Sequence, residues 1–295
     1  MPGKDLTKAS QNDEPSMIEQ VNIAAAYIQN ICSQKIDAGL ILGTGLGDVP
    51  AYLTVKHSTP YAEIPHFPHS TAPGHTGNLL VTEMDGVNIL VFQGRFHLYE
   101  GWHPTEIALG IYVLRALGAS ELVVSNAAGA LNPDYKPGEL MLIEDHLNFT
   151  GQSPLIGQTD ELGPIFPDMS KAYAPELLTR IRNTASTLNQ TLQSGIYGAV
   201  TGPALETSAE RRFYRMAGAD AIGMSTVPEV IAANHCGLKV LGISAITNMA
   251  VGGPDQKVDP IEEIYENAAI AGRAMLPLLK EFFAGVKGAR EGSSN

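Results

Sequence analysis

Short apolar runs alternate with amphipathic stretches along most of this chain, and that alternation limits the fold more than any other feature. "AGLILG" (38–43), the two halves of "NLLVTEMDGVNILVFQG" (78–94), "ELVVSNAAGAL" (121–131), "GIYGAVTGP" (195–203), "ADAIGM" (219–224) and "LKVLGISAITN" (238–248) read as strands. Asp85 and Gly86, between two apolar runs, predict a hairpin turn. Ser16 with Glu19 matches a capping box that opens a helix to about Lys35, and Thr207 with Glu210 and Thr226 with Glu229 repeat the pattern. Pro104 opens a helix that ends near Gly118, Pro175 opens another, and a last one spans about 260 to 285.

Strands alternating with helices around one inserted hairpin predict an α/β fold: a mixed, mainly parallel β-sheet flanked by helices. Residues 58–76, with four prolines, three histidines and no period, are expected as a long loop, and 144–170 as a second. No linker or repeat divides the chain. One domain is expected over 16–287, with a loosely held N-terminal tail (1–15) and a C-terminal tail (288–295).

The formal charge of −12 argues against nucleic acid or an anionic membrane as the main partner. Anions must then be captured by local donors. Cys32 and Cys236 cannot make a disulfide framework and read as buried or semi-buried thiols at helix positions. With no apolar run near 18 residues and no apolar leader, the chain reads as a reduced, cytoplasmic protein.

In a sheet of this kind the loops at strand ends build the site. "LILGTGLGDV" (40–49) is the first. Gly43 and Gly45 fit a dinucleotide fingerprint, but Asp48 stands at its sixth position, where a carboxylate repels pyrophosphate, so a dehydrogenase reading is weak. As an anion loop it offers backbone N–H groups and the Thr44 hydroxyl; as a plain tight turn it offers nothing. "GRFHLYEGWH" (94–103) places Arg95, His97 and Tyr99 at period two, which puts a guanidinium fork, an imidazole and an aromatic phenol on one face. Small residues in "SNAAGAL" let the Ala127 and Ala128 amides approach a ligand, or simply pack tightly. Glu206 and Asn248, isolated at strand ends, have the acceptor and donor set to read a heterocycle edge, although Glu206 before a capped helix has a plain helix-terminus alternative. His66, His69, His75, His97 and His103 raise a zinc reading that no ligand spacing supports, so no metal is expected.

In order and spacing, "LILGTGLGDV", "PGHTG", "GRFHLYEG", "SNAAGALNP", "MLIEDHLN", "GMSTVPEVIAANHCGL" and "ITN" resemble the homotrimeric class of purine nucleoside phosphorylases, from about Ala24 to Phe283. The resemblance implies a nucleoside phosphorylase-like fold and reversible phosphorolysis of inosine or guanosine, with inorganic phosphate as co-substrate and no cofactor. It implies that Thr44, His75, Arg95, His97, the Ala127 amide and Ser225 hold phosphate. Tyr99 and Met224 would pack on the ribose, Asn126 would organise the phosphate and sugar region, and Ala128, Gly129 and Leu205 would line the nucleoside. Glu206 and Asn248 would hold the base, with Asn248, His97 and Glu206 as the catalytic set, and Phe166 would reach the neighbouring subunit's site in a homotrimer.

Two departures stand out. Leu205 replaces an aromatic residue common before the base-binding glutamate. The histidine that many members place at the start of the last helix, toward the 5′-hydroxyl, is Pro260 or Ile261 here. A more apolar 5′ pocket, as in the related methylthioadenosine phosphorylases, makes 5′-deoxy or 5′-methylthio nucleosides an alternative, but Asn248 stands where that relative places an aspartate. A non-catalytic purine-binding protein on the same fold is a second alternative, weakened by the retained Arg95, His97, Glu206 and Asn248.

Overall fold

The first strand, β1 (Ala38–Leu42), is buried at every residue, as expected for a strand covered on both faces. In the computed structural model it lies between two parallel neighbours, β4 (Val87–Gln93) and β5 (Glu121–Ala130). The structure describes residues 15–47, 49–72, 76–254 and 256–291, with side chains to Val286. Asp48, His75 and the chain ends 1–14 and 292–295 lie outside the described residues.

β3 (Asn78–Met84) and β4 form the expected hairpin, and Asp85 (φ 51°) and Gly86 (φ 82°) give it the left-handed turn that matches strand twist. β2 (Thr54–Pro60), which runs into the first predicted loop, pairs antiparallel with β3 through a bulge between Val55 and His57. Its place at the edge of the sheet is what lets Pro60 end a strand, since an edge residue needs no ladder donor on its outer side. β6 (Leu140–Asn148) likewise runs into the second predicted loop. Its charged half, Glu144 to His146, hid the strand because that half is not fully buried.

Among the described residues nine strands are ordered β2-β3-β4-β1-β5-β8-β7-β6-β9, where β7 is Gln193–Ala199, β8 is Ala221–Gly223 and β9 is Lys239–Met249. β9 also pairs with β5, so β5, β8, β7, β6 and β9 close into a ring. Five pairings are parallel and four antiparallel among the described residues.

Helices α1 (Met17–Ile31), α2 (Pro104–Ala116) and α5 (Val227–His235) pack in series, while α3 (Pro175–Thr187) rests on α6 (Ile261–Glu291). The fourth α-helix in chain order, α4 (Ser208–Met216), follows β7. Ser16 and Thr207 make the capping boxes their spacing predicted. Helix α1 stops four residues short of Lys35, with buried Cys32 as its C-cap. Cys236 caps α5, and burial pushes its thiol up to about 12, so both cysteines are packing groups. Helix α6 runs past the expected end near 285.

Candidate active site

One cleft collects residues from seven separate segments, the last of them α6. Thr44 comes from the loop after β1, and Arg95, His97 and Tyr99 from the loop after β4. Ala127, Ala128 and Gly129 come from β5, Leu205 and Glu206 from the segment after β7, Met224 and Ser225 from the end of β8, and Asn248 from β9. Of the residues predicted from sequence, Asn126 and Phe166 do not line it.

The glycine loop is built for close approach. A Cβ on Gly43 would meet Asn126 Cα at 2.7 Å and Ser125 O at 2.8 Å, both backbone atoms of β5. Gly45 has φ 75° and sits against the Ala268 Cβ of α6. The loop leads into a short 3-10 turn, Val49–Tyr52, rather than an α-helix. The dinucleotide reading therefore lacks the helix N-terminus it requires, and the loop presents Thr44 to the cleft instead. Gly43→Ala is expected to destabilise the fold by about 1–3 kcal/mol through forced separation of β1 and β5. A thermal unfolding midpoint equal to the parent's would contradict this.

Arg95 is 3% exposed, and its direction is set by acceptors on several sides. Nε donates to Glu229 Oε1 at 3.0 Å, and Nη1 donates to the Ser125 carbonyl at 2.7 Å and to Ser225 Oγ at 3.0 Å. Glu229 thus corrects the third predicted capping box: Thr226 makes no side-chain cap, and Glu229 is a buried ion-pair partner of Arg95. Thr226 has φ 76° and ψ −48°, and Val227 N–H donates to Ser225 O at 2.8 Å, which together make a tight γ-turn. Such a conformation costs a β-branched residue about 1–3 kcal/mol and persists only where neighbours enforce it. Here Asn126 Nδ2 donates to Thr226 Oγ1 at 2.8 Å, and Arg95 Nη1 reaches the same oxygen at 3.3 Å. Asn126 is therefore a brace behind the wall, and the turn it supports aims Ser225 at Arg95.

The strand face expected for Arg95, His97 and Tyr99 is not what brings them together. β4 ends at Gln93, and Tyr99 lies in a 3-10 turn, Leu98–Glu100, which stacks its ring on His97 at 4.5 Å and 17°. Glu100 Oε1 takes both the His97 N–H at 2.9 Å and Nδ1 at 2.8 Å, which assigns the Nδ1 proton by its carboxylate partner. Burial pushes the His97 imidazole below its ordinary value despite the opposing pull of Glu100. Burial alone would raise the Glu100 carboxyl, but hydrogen bonds from His97 and Thr71 outweigh it and bring it to about 2. Burial likewise lifts the Tyr99 phenol to about 12, which keeps its proton in place.

At the other side of the cleft, Thr207 and Glu210 cap α4 between themselves, so Glu206 does not serve that helix terminus. Its side chain is 7% exposed, and burial raises its carboxyl while Arg211 opposes the shift. Asn248 Nδ2 donates to Asp259 Oδ1 at 2.9 Å. Ile264 of α6 also lines the cleft, so an apolar side chain stands in the wall near the segment where a 5′-contacting histidine was sought. Glu229, Ile264, Arg211 and Asp259 were all missed from sequence: the first mimicked a cap, and no motif marks the other three, of which Arg211 and Asp259 meet each other from 48 residues apart.

His66, His69 and His103 do not line the cleft, and among the described residues no three His, Cys, Asp or Glu side chains are grouped as a metal site would need. Phe166 is 91% exposed and outside its own chain's cleft.

Residues 37–284 match the family model of the phosphorylase superfamily. Purine nucleoside phosphorylase 1 of Bacillus subtilis is 44% identical over 91% of this chain and 99% of its own length. The enzyme of the same name from Geobacillus stearothermophilus is 46% identical, over 82% of this chain and 88% of its own. The chain belongs to the purine nucleoside phosphorylase family of that superfamily. A solved schistosome purine nucleoside phosphorylase in complex with hypoxanthine superposes with a TM-score of 0.85 at 35% identity, covering 92% of this chain and 99% of that one. The Schistosoma mansoni enzyme in complex with adenosine gives 0.84 at 35% identity, covering 90% and 97%.

Proposed function

We propose that this chain catalyses reversible phosphorolysis of 6-oxopurine ribo- and deoxyribonucleosides such as inosine and guanosine, giving free base and (deoxy)ribose 1-phosphate. The observation that carries the reading is the meeting, in one cleft, of an anion-binding group around Arg95 and a base-reading pair, Glu206 and Asn248. Thr44, Arg95, His97, the Ala127 amide and Ser225 hold phosphate, and Tyr99 and Met224 pack on the sugar between them. A phosphate oxygen forms a bond to C1′ as the C1′–N9 bond breaks, and the departing electron pair goes to the purine. Asn248 stabilises the charge that develops there, and Arg95 fixes the nucleophile beneath the reacting carbon. Direct displacement inverts the anomeric centre. Phosphate is the co-substrate, and the reading calls on no cofactor and no metal.

A carboxylate at Glu206 accepts from the N1–H of hypoxanthine or guanine and faces a lone pair on adenine. An unpaired acceptor of this kind costs about 1–3 kcal/mol, so inosine is expected to exceed adenosine in kcat/KM by about tenfold or more. The test is product formation from each nucleoside with and without phosphate. Equal kcat/KM values would remove the Glu206 assignment, and base release independent of phosphate would make the enzyme a hydrolase.

Ile264 in the cleft wall supports a second reading, in which 5′-deoxy or 5′-methylthio 6-oxopurine nucleosides are the better substrates. Exposed Phe166 and Ile165 (91% and 59%) support a homotrimer in which Phe166 completes the neighbour's site. Light scattering at the mass of one chain would oppose that assembly. Among the described residues no helix is long and apolar enough to cross a membrane, and the acidic charge disfavours nucleic acid, which suits a cytoplasmic enzyme of small substrates.

A further inference from the structure

We propose that Asp259, held by Arg211, fixes the orientation of the Asn248 amide and so sets discrimination at the purine 6-position; this rests on the phosphorylase reading above.

The two oxygens of Asp259 have separate tasks. Oδ1 accepts from Asn248 Nδ2 at 2.9 Å, and Oδ2 accepts from Arg211 Nη2 at 2.7 Å. The ion pair is sheltered, with 4% and 8% of the two side chains exposed. Arg211 Nε also donates to the Glu206 carbonyl at 3.0 Å. One guanidinium therefore ties the segment that carries Glu206 to the segment that orients Asn248.

A side-chain amide can present either end to a neighbour, and hydroxyl neighbours do not choose between them. Thr247 Oγ1 lies 2.8 Å from Asn248 Oδ1 and 3.2 Å from the Ala128 carbonyl, so it can donate to either. A carboxylate only accepts. Asp259 thus obliges the NH2 end of Asn248 to face it and leaves Oδ1 on the Thr247 side. Arg211 joins Asp259 to the Glu206 segment, and in this scheme the NH2 end is the one turned toward Glu206.

That order matters for a base whose N1 edge meets Glu206. The C6 substituent follows N1 toward Asn248, and N7 lies beyond it. The NH2 end then donates to a 6-oxo group, where charge develops as the base departs, while Oδ1 stays with Thr247. A 6-amino group would set N–H against N–H. Asp259 is a positioning residue in this scheme, since it acts through Asn248.

The test is Asp259→Asn, which keeps the shape but lets the Asn248 amide turn over. In wild type and variant, kcat/KM is measured for inosine and adenosine at saturating phosphate, and Kd for hypoxanthine and adenine. The inosine-to-adenosine ratio is expected to fall by about tenfold, with hypoxanthine weakened more than adenine. An unchanged ratio, or equal losses for both bases, would overturn the proposal, because a purely structural brace predicts equal losses. If the single variant fails to fold with Arg211 uncompensated, Asp259→Asn combined with Arg211→Gln puts the same ratio to the same test. Wild-type enzyme that fails to cleave inosine with phosphate would instead count against the phosphorylase reading, while the hypoxanthine-to-adenine Kd ratio would still report on Asp259.

Discussion

Replacing Arg95 with methionine is expected to lower kcat/KM for phosphate by about a hundred- to a thousandfold, with a smaller effect on free-base binding. The guanidinium lines the cleft, and Glu229, the Ser125 carbonyl and Ser225 hold it in place before any ligand arrives. Such a group needs little reorganisation as charge develops, which is why its loss falls on the chemical step. The substitution also leaves Glu229 buried without its cation, at a cost of about 3–5 kcal/mol. The double variant Arg95→Met with Glu229→Gln separates the two effects: it should recover much of the lost thermal stability and none of the activity. Steady-state kinetics against phosphate concentration checks this, and an unaltered phosphate dependence in the double variant would take Arg95 out of the phosphate site.

The second large effect is expected at Asn248. Asn248→Ala should reduce kcat by about a hundred- to a thousandfold, with KM for phosphate nearly unchanged, because one donor to a developing anion carries that much. The reasoning separates leaving-group stabilisation from simple grip. If Asn248 only held the base, nucleoside KM would rise and kcat would stay near the parent value. That outcome would place the main stabilisation of the departing purine elsewhere. Removing Asn248 also leaves Asp259 with Arg211 alone, so the ion pair should survive and the variant should fold.

Periodicity and turn chemistry made much of the frame legible. The Asp85–Gly86 hairpin and the Ser16 and Thr207 caps follow from local rules that need no distant partner. The Thr226–Glu229 pair shows where local rules fail. Its spacing is that of a capping box, yet an arginine 134 residues before Glu229 in the chain outcompetes the helix terminus for the carboxylate. A buried charge seeks an opposite charge before it seeks a backbone amide. β2 and β6 were hidden for a different reason: an edge strand and a half-exposed strand carry prolines, charges and broken alternation that resemble loops.

By itself the sequence determined the class of fold and most of the chemical inventory. Strand-forming runs, capped helices and the residue types at strand ends are consequences of neighbours close along the chain. Thr44, Arg95, His97, Glu206 and Asn248 could be singled out for that reason. Only the tertiary structure decided how they combine. Closure of β5, β8, β7, β6 and β9 into a ring, the strained turn at Thr226, and the Arg211–Asp259 pair that links the Glu206 and Asn248 segments depend on contacts between segments far apart in sequence. Those contacts arise when burial removes water and each polar group must find a partner among whatever the fold has brought near.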